Sequence, residues 1–326
     1  MRAELLAASD PAAVRLAAEV IRSGGLVAFP TETVYGLGCD ALNAEAVARV
    51  FEVKQRPSFD PLIVHIAALS SLDRLVHAIS PGEHRLMDAF WPGPLTLVLR
   101  KCANVPELVT AGLSTVAIRM PAHPVAQALI REAGVPIAAP SANPFGYVSP
   151  TTAEHVRHAL GDRIDLILDG GPCPIGVEST IVSMVGAQPE LLRPGALPLS
   201  DIEAVIGPLL CRGGNDRRPS APGRLARHYA TGTPLTILPT RGARLLRTGE
   251  RAGLLAMSGA GTQADYTVVE VLSPRGDLRE AARNLFAALR RLDALGLDRL
   301  YAEPCEEQGL GLAIMDRLRR CAVTNQ

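Results

Sequence analysis

The sequence predicts an α/β protein in two parts: a large domain over residues 1–210 with a curved, partly mixed sheet, and a smaller α/β domain over 235–326, joined by a linker at 211–234. Three observations carry this reading. Short β-like runs alternate with helical patterns through the first two-thirds of the chain. Those runs are too numerous for a simple three-layer nucleotide fold, which favours a large mixed sheet. The stretch CRGGNDRRPSAPGRLARHYATGTP then breaks the rhythm with glycine, proline and arginine, and the alternation resumes beyond it on a smaller scale.

Taken in order, Val14, Ala17, Ala18 and Ile21 recur at helical spacing over 11–23, and LVAFP (26–30) follows as a strand after the Gly24-Gly25 break. A helix over 43–54 has Asn43 as cap, Glu45 in its first turn, and Val47, Val50 and Phe51 on one face. Further strands are expected at 62–66, 95–99, 115–120, 136–140, 166–169, 180–184 and 191–193, with helices at 70–78, 81–90, 123–133, 151–160 and 201–208. The second part reads as LTILP, AGLLAMSG and YTVVEVL strands, a long helix 277–295, the strand RLYAEP and a last helix over 308–320, a βαβ-type pattern.

The chain has 326 residues, with 33 basic balanced by 33 acidic. A neutral chain lacks the overall positive field that drives non-specific nucleic-acid binding, although a local basic face could still form. Its 48% hydrophobic and 20% charged content is that of a globular protein. No apolar run reaches the roughly 18 residues of a membrane span. Acids at Glu4, Asp10 and Glu19 interrupt the N-terminus, which therefore does not read as a signal peptide. A cytoplasmic protein is expected. Six scattered cysteines without a C-x-x-C suggest neither zinc nor disulfides.

Walker, dinucleotide-binding, zinc-protease and nucleophile-elbow motifs are all missing. What remains is polar residues set into apolar strand ends. PTETVYGLG (30–38) places Thr31, Thr33, Tyr35 and one carboxylate on a loop with glycine freedom, where open α/β sheets place ligands; a hydrogen-bonded turn is the alternative. In VKQRPSFDPLIVHI, Pro57 forces Arg56 towards an extended conformation, so Lys54 and Arg56, two apart, would point the same way around an anion. His65 interrupts the apolar run that follows, a position more often taken by a satisfied core histidine. Arg119 interrupts the strand TVAIRM and needs a partner, either a bound carboxylate or an internal acid. Ser141 and Asn143 in PIAAPSANP, Ser179 and Thr180 in VESTIV, and Arg193 in LLRPG complete the set. With no obvious nucleophile–base pair, these clusters suit a site that positions an anionic nucleotide while the substrates supply the nucleophile.

These motifs resemble the YrdC family in its long, two-domain form. PTETVYGLG, Lys54-Gln55-Arg56 ahead of P-x-x-x-PLIVHI, FWPGPLTLVL, Ser141-Ala142-Asn143, VEST and LLRPG match in the expected order over about residues 10–210, and HYA (228–230) with a small second domain matches the long form. The resemblance implies a YrdC-like domain with a curved mixed sheet plus a Rossmann-like C-terminal domain. It also implies a nucleotidyltransferase that makes L-threonylcarbamoyl-AMP and pyrophosphate from L-threonine, bicarbonate or CO2, and ATP, with Mg2+. That product would feed the threonylcarbamoyl modification of the adenosine beside the tRNA anticodon through a downstream enzyme. By motif position, Thr33, His65, Arg119, Ser179 and the backbone at Ala139 look like threonine contacts. Lys54, Arg56, Thr115, Ser141, Asn143, Ser149 and Arg193 look like the ATP side, with Asp60 a further candidate or a metal ligand. Lys54, Arg56, Ser141 and Asn143 are the expected catalytic group, and Tyr229 would reach over the nucleotide as part of a lid. The metal ligands stay unassigned. Two rivals belong to other classes: an RNA-binding module using 31 arginines, and a carbamoyl-adenylate-handling domain. Neutral charge and the lack of aromatic interleaving argue for weak or no direct tRNA binding.

Overall fold

The computed structural model describes residues 3–211, 221–223, 225, 228–259 and 265–323. The elements before the linker are β1 (Glu4–Ala7), α1 (Pro11–Arg22), β2 (Val27–Phe29), β3 (Gly36–Asp40), α2 (Ala44–Lys54), β4 (Ile63–His65), α3 (Pro81–Phe90), β5 (Leu95–Arg100), α4 (Glu107–Thr110), β6 (Thr115–Arg119), α5 (Pro124–Ala133), β7 (Ile137–Ala138), α6 (Ala153–Leu160), β8 (Leu166–Asp169), β9 (Thr180–Ser183), β10 (Glu190–Arg193) and α7 (Leu199–Ile206). Helix starts follow side-chain caps: the Asp10 carboxylate accepts from the Ala12 amide ahead of Pro11, and Asn43 accepts from the amides of Glu45 and Ala46. Ser80 and Glu83 form a reciprocal capping box on α3.

The strands form one ten-stranded sheet in the order β1-β8-β2-β3-β7-β4-β6-β5-β9-β10. It is mixed, as expected: β4–β6 and β5–β9 are parallel, while β2–β3, β3–β7, β5–β6 and β9–β10 are antiparallel. Four elements differ from the sequence reading, one of them the short helix α4, which was not expected. The strand β1 is a mostly exposed edge strand with no alternation to announce it. The Gly36–Asp40 segment is a strand rather than the tail of a loop. Gly38 is there for close packing, since a Cβ would lie 2.7 Å from the Phe29 ring and 2.8 Å from Ile137. The expected helix at 70–78 is a 3₁₀ turn over Leu69–Arg74.

The strand period of two divides the sheet's side chains between two cores. One face carries Ala28, Leu37, Val64, Leu97, Ile118 and Val182 against α2, α3, α6 and α7. The other carries Val27, Phe29, Ile137 and Leu168, covered by α1 and α5. Further along that second face, around β4, β6, β5 and β9, only a small cluster with Ile63, Ala117 and Ile181 is formed, and Ala221 of the linker packs on it.

Beyond the linker, β11 (Leu235–Ile237), β12 (Ala252–Ala256), β13 (Val268–Val271), α8 (Leu278–Asp293), β14 (Arg299–Ala302) and α9 (Leu310–Ala322) form a four-stranded sheet ordered β11-β14-β12-β13. Its recorded pairings are all parallel. Asp277 caps α8, whose buried stripe runs through Ala281, Leu285, Phe286, Leu289 and Leu292. That core continues across to Val34, Val148 and Val177 of the first sheet's loops and to Tyr229.

Candidate functional site

The sparsely covered part of the first sheet is where the polar side chains collect. Register pairs His65 of β4 with Arg119 of β6, and Arg119 with Thr96 of β5, so one row of the sheet holds three polar groups side by side. A cavity opens over this row, lined by Thr31, Thr33, His65, Arg119, Ala139, Ser141, Ser179, Arg56, Arg193, Glu178, His228 and Tyr229 among others. All five expected threonine contacts line it. Of the expected ATP contacts, Arg56, Ser141, Arg193 and Tyr229 do.

Arg119 is buried, and its Nε donates to the Gly93 carbonyl at 3.3 Å. It lies 2.6 Å from the Glu32 carboxylate and donates to the Thr33 hydroxyl at 2.9 Å, and Thr33 in turn pairs with Thr31 at 2.8 Å. Burial alone would raise the Glu32 carboxyl, but the Arg119 charge and hydrogen bond outweigh it and hold the group below its ordinary value. The internal acid is therefore present, and Glu32 is a site residue that the sequence reading passed over. His65 packs edge-on against Phe29, and its Nδ1 has no hydrogen-bond partner. The hydroxyls of Thr96 and Ser179 meet at 2.8 Å beside this row.

Arg193 donates to the Ser179 carbonyl at 2.9 Å and hydroxyl at 3.2 Å, and to the Pro222 carbonyl at 3.3 Å. Arg56 donates to the carbonyls of Asp60 at 3.0 Å and Pro61 at 2.7 Å and pairs with the Asp60 carboxylate at 2.9 Å. Burial raises the Asp60 carboxyl despite Arg56 and Lys54. The pairing expected for Lys54 and Arg56 is not formed. Lys54 is the last residue of α2, and Gln55 turns left-handed at φ 53°, so the two cations leave the backbone differently. Lys54 donates to the carbonyls of Ser141, at 2.6 Å, and Asn143. It thereby clamps the S-x-N loop, and burial pulls its ammonium well below its ordinary value. Asn143 donates to Pro144 and Tyr147 carbonyls, both at 2.8 Å, and the Ser149 hydroxyl donates to Glu178 at 2.5 Å. Thr115 sits at the far end of β6 from Arg119, about 13 Å away at the rise of a strand.

The linker contributes to the cavity wall. Pro222, Gly223, His228 and Tyr229 all line it. Tyr229 has φ 63° and a fully buried ring, a left-handed conformation that costs a non-glycine residue about 1 kcal/mol. Most of the arginine-rich stretch 217–227 lies outside the described residues. His228 and Glu178 stand beside residues named from the motifs, in HYA and VEST, and that adjacency was the signal for them.

Burial pushes the imidazoles of His65 and His228 down to about 3, so both are neutral when folded and take a proton only on unfolding. Their contribution to stability is complete above pH 6.5 and is lost as pH falls from there towards 3. The urea-unfolding free energy is expected to drop by about 1.4 kcal/mol per pH unit for each histidine below pH 6, and His65→Gln should flatten that slope by one proton. A slope indifferent to the substitution would mean that His65 is not held neutral.

The fold and the site together define an α/β small-molecule enzyme whose cavity is lined by three guanidinium groups and several neutral hydroxyls. The profile of the family described as "Telomere recombination" (Sua5, YciO and YrdC) matches residues 19–195, and that described as "Threonylcarbamoyl-AMP synthase, C-terminal domain" matches 197–323. The chain is 45% identical to the threonylcarbamoyl-AMP synthase of Pyrococcus abyssi, over 95% of this chain and 94% of the relative. It is 48% identical to that of Bacillus subtilis, over 97% and 94%. The crystal structure of P. abyssi Sua5 complexed with L-threonine superposes with a TM-score of 0.89 at 44% identity, covering 96% of this chain and 95% of that one. The chain belongs to the Sua5/YrdC family of threonylcarbamoyl-AMP synthases, in its two-domain form.

Proposed function

We propose that this chain makes L-threonylcarbamoyl-AMP and pyrophosphate from L-threonine, bicarbonate or CO2, and ATP, as the first step of threonylcarbamoyl modification of the adenosine beside the tRNA anticodon. The observation that carries the proposal is the cavity itself. Its wall holds one guanidinium suited to a carboxylate, Arg119, and two suited to phosphates, Arg56 and Arg193. On this reading Thr33, His65, Arg119, Ser179 and the Ala139 backbone receive threonine. Arg56, Ser141, Arg193 and Tyr229 receive ATP, while Lys54 and Asn143 hold the loop that presents Ser141.

The chemistry asks for positioning more than for a protein nucleophile. The threonine amine adds to CO2 to give a carbamate, and bicarbonate dehydration releases the water. A carbamate oxygen then attacks the α-phosphorus, and the bond to pyrophosphate breaks. Arg56 and Arg193 offset charge that grows on the departing phosphates. Neutral His65 can accept from the threonine hydroxyl or ammonium without adding a second cation beside Arg119. The free space, about 50 Å³, holds a few waters, and on this reading the linker residues that line the cavity shift to admit ATP. A lid over 211–234, between a catalytic part at 1–210 and a second domain at 235–326, is part of the proposal.

Mg2+ would arrive on the triphosphate. Among the described residues no group of three or more His, Cys, Asp or Glu is placed to hold a metal, and Asp60 spends its carboxylate on Arg56. Mg2+ in such enzymes leans on substrate phosphates and water, with one or two carboxylates at most. The residues present make no resident cage for it.

Among the described residues no helix is long and apolar enough to cross a membrane. A cytoplasmic location and a downstream tRNA-modification enzyme go with the proposal. Pyrophosphate release from ATP and bicarbonate, measured with and without L-threonine, tests it. Threonine-dependent release is expected; release indifferent to threonine would favour the carbamoyl-handling reading, and tRNA binding without turnover the RNA-binding one.

A further inference from the structure

The second sheet and its helices reach into the wall of the cavity through named side chains. Arg317 of α9 is fully buried. Its Nε donates to Glu178 Oε2 at 2.8 Å, and its Nη1 to the Pro194 carbonyl at 3.0 Å and to Asp316 at 2.6 Å. The other Glu178 oxygen accepts from the Ser149 hydroxyl at 2.5 Å. Arg290 of α8 donates to the carbonyls of Val148 and Ser149 on the same loop. Tyr229 stacks on Phe286 of α8, ring centroids 5.5 Å apart, with the Arg317 guanidinium 5.0 Å from its own centroid. Among the described lining residues Glu178 is the one carboxylate, and it stands on the Arg193 side, where the phosphates of ATP are proposed to lie.

A carboxylate in that wall repels a triphosphate unless its charge is matched. We propose that Arg317 is a positioning residue for ATP: it offsets the charge of Glu178, orients the Ser149 hydroxyl through it, and shapes the seat of Tyr229. The second sheet's helices are thereby part of the nucleotide site. This inference rests on the function proposed above. A bare structural tie would predict something different, because a tie that only joins the two sheets has no reason to discriminate between ATP and threonine.

The test compares the full chain with Arg317→Met, Arg317→Lys and the double variant Arg317→Met/Glu178→Gln. Each is followed by its melting temperature, by ATP titration calorimetry, and by the ATP and threonine KM of pyrophosphate release. Arg317→Met is expected to weaken ATP about tenfold or more while threonine KM changes less than about twofold, since it leaves a buried carboxylate unmatched. Lysine keeps the charge without the planar fork and should fall between. Removing the carboxylate as well should bring ATP affinity back to within about threefold of wild type, because the Glu178 charge goes with its partner while Asp316 keeps Arg320 at 3.0 Å. Should Arg317→Met fail to fold, the double variant is read alone, and an ATP affinity about tenfold weaker there overturns the proposal. Equal losses for both substrates, or no recovery on adding Glu178→Gln, overturn it too. Calorimetry keeps the two readings apart: wild type binding ATP without threonine-dependent turnover sinks the reaction proposed above, whereas unchanged ATP binding in Arg317→Met sinks this one.

Discussion

Arg119→Ala is expected to raise the threonine KM by about thirtyfold to a hundredfold while the ATP KM changes less than about threefold. The size follows from the chemistry of the contact. A guanidinium–carboxylate pair in a dry site contributes about 2–3 kcal/mol, and every 1.4 kcal/mol is a factor of ten. The substitution also strands Glu32, a buried acid whose partner is Arg119 at 2.6 Å, so about 3–5 kcal/mol of stability should go with it. Arg119→Ala combined with Glu32→Gln separates the two effects. Neither member of the pair leaves a charge in that variant, so the melting temperature should recover while the threonine KM stays high. A folded double variant with the wild-type threonine KM would place the threonine carboxylate elsewhere.

Arg56→Ala is expected to lower kcat by about a hundredfold to a thousandfold, the loss typical of removing one preorganised donor from a developing charge. Here too a buried acid is left behind, since Asp60 is fully buried and lies 2.9 Å from Arg56. Arg56→Ala/Asp60→Asn should restore folding without restoring turnover, as steady-state kinetics and thermal melts on the same preparations would report. Restored turnover in the double variant would mean that Arg56 serves only to neutralise Asp60.

Much of the site was legible because polar residues interrupt apolar strands. His65 and Arg119 stand out within LIVHI and TVAIR, and sheet register then places them side by side. The motif ends that carry Thr33, Ser141, Ser179 and Arg193 were legible for the same reason, and all line the cavity. What stayed hidden depends on contacts between distant segments. Glu32 reads as one polar residue in a loop until Arg119 is brought to it. Glu178 acquires its role from Arg317, 139 residues later in the chain. The angle between Lys54 and Arg56 was misjudged because Gln55 adopts a left-handed conformation, which a glycine or asparagine would have announced and a glutamine does not. The short strand β3 was missed because its glycines serve packing against Phe29 and Ile137 rather than a turn.

The most direct test follows the carbon atom. Incubation of the protein with 13C-bicarbonate, L-threonine and ATP, quenched and analysed by mass spectrometry, should give an AMP conjugate that carries both the label and the mass of threonine, in step with pyrophosphate. A labelled AMP conjugate that lacks the mass of threonine, or AMP release with no labelled conjugate, would contradict the proposed reaction.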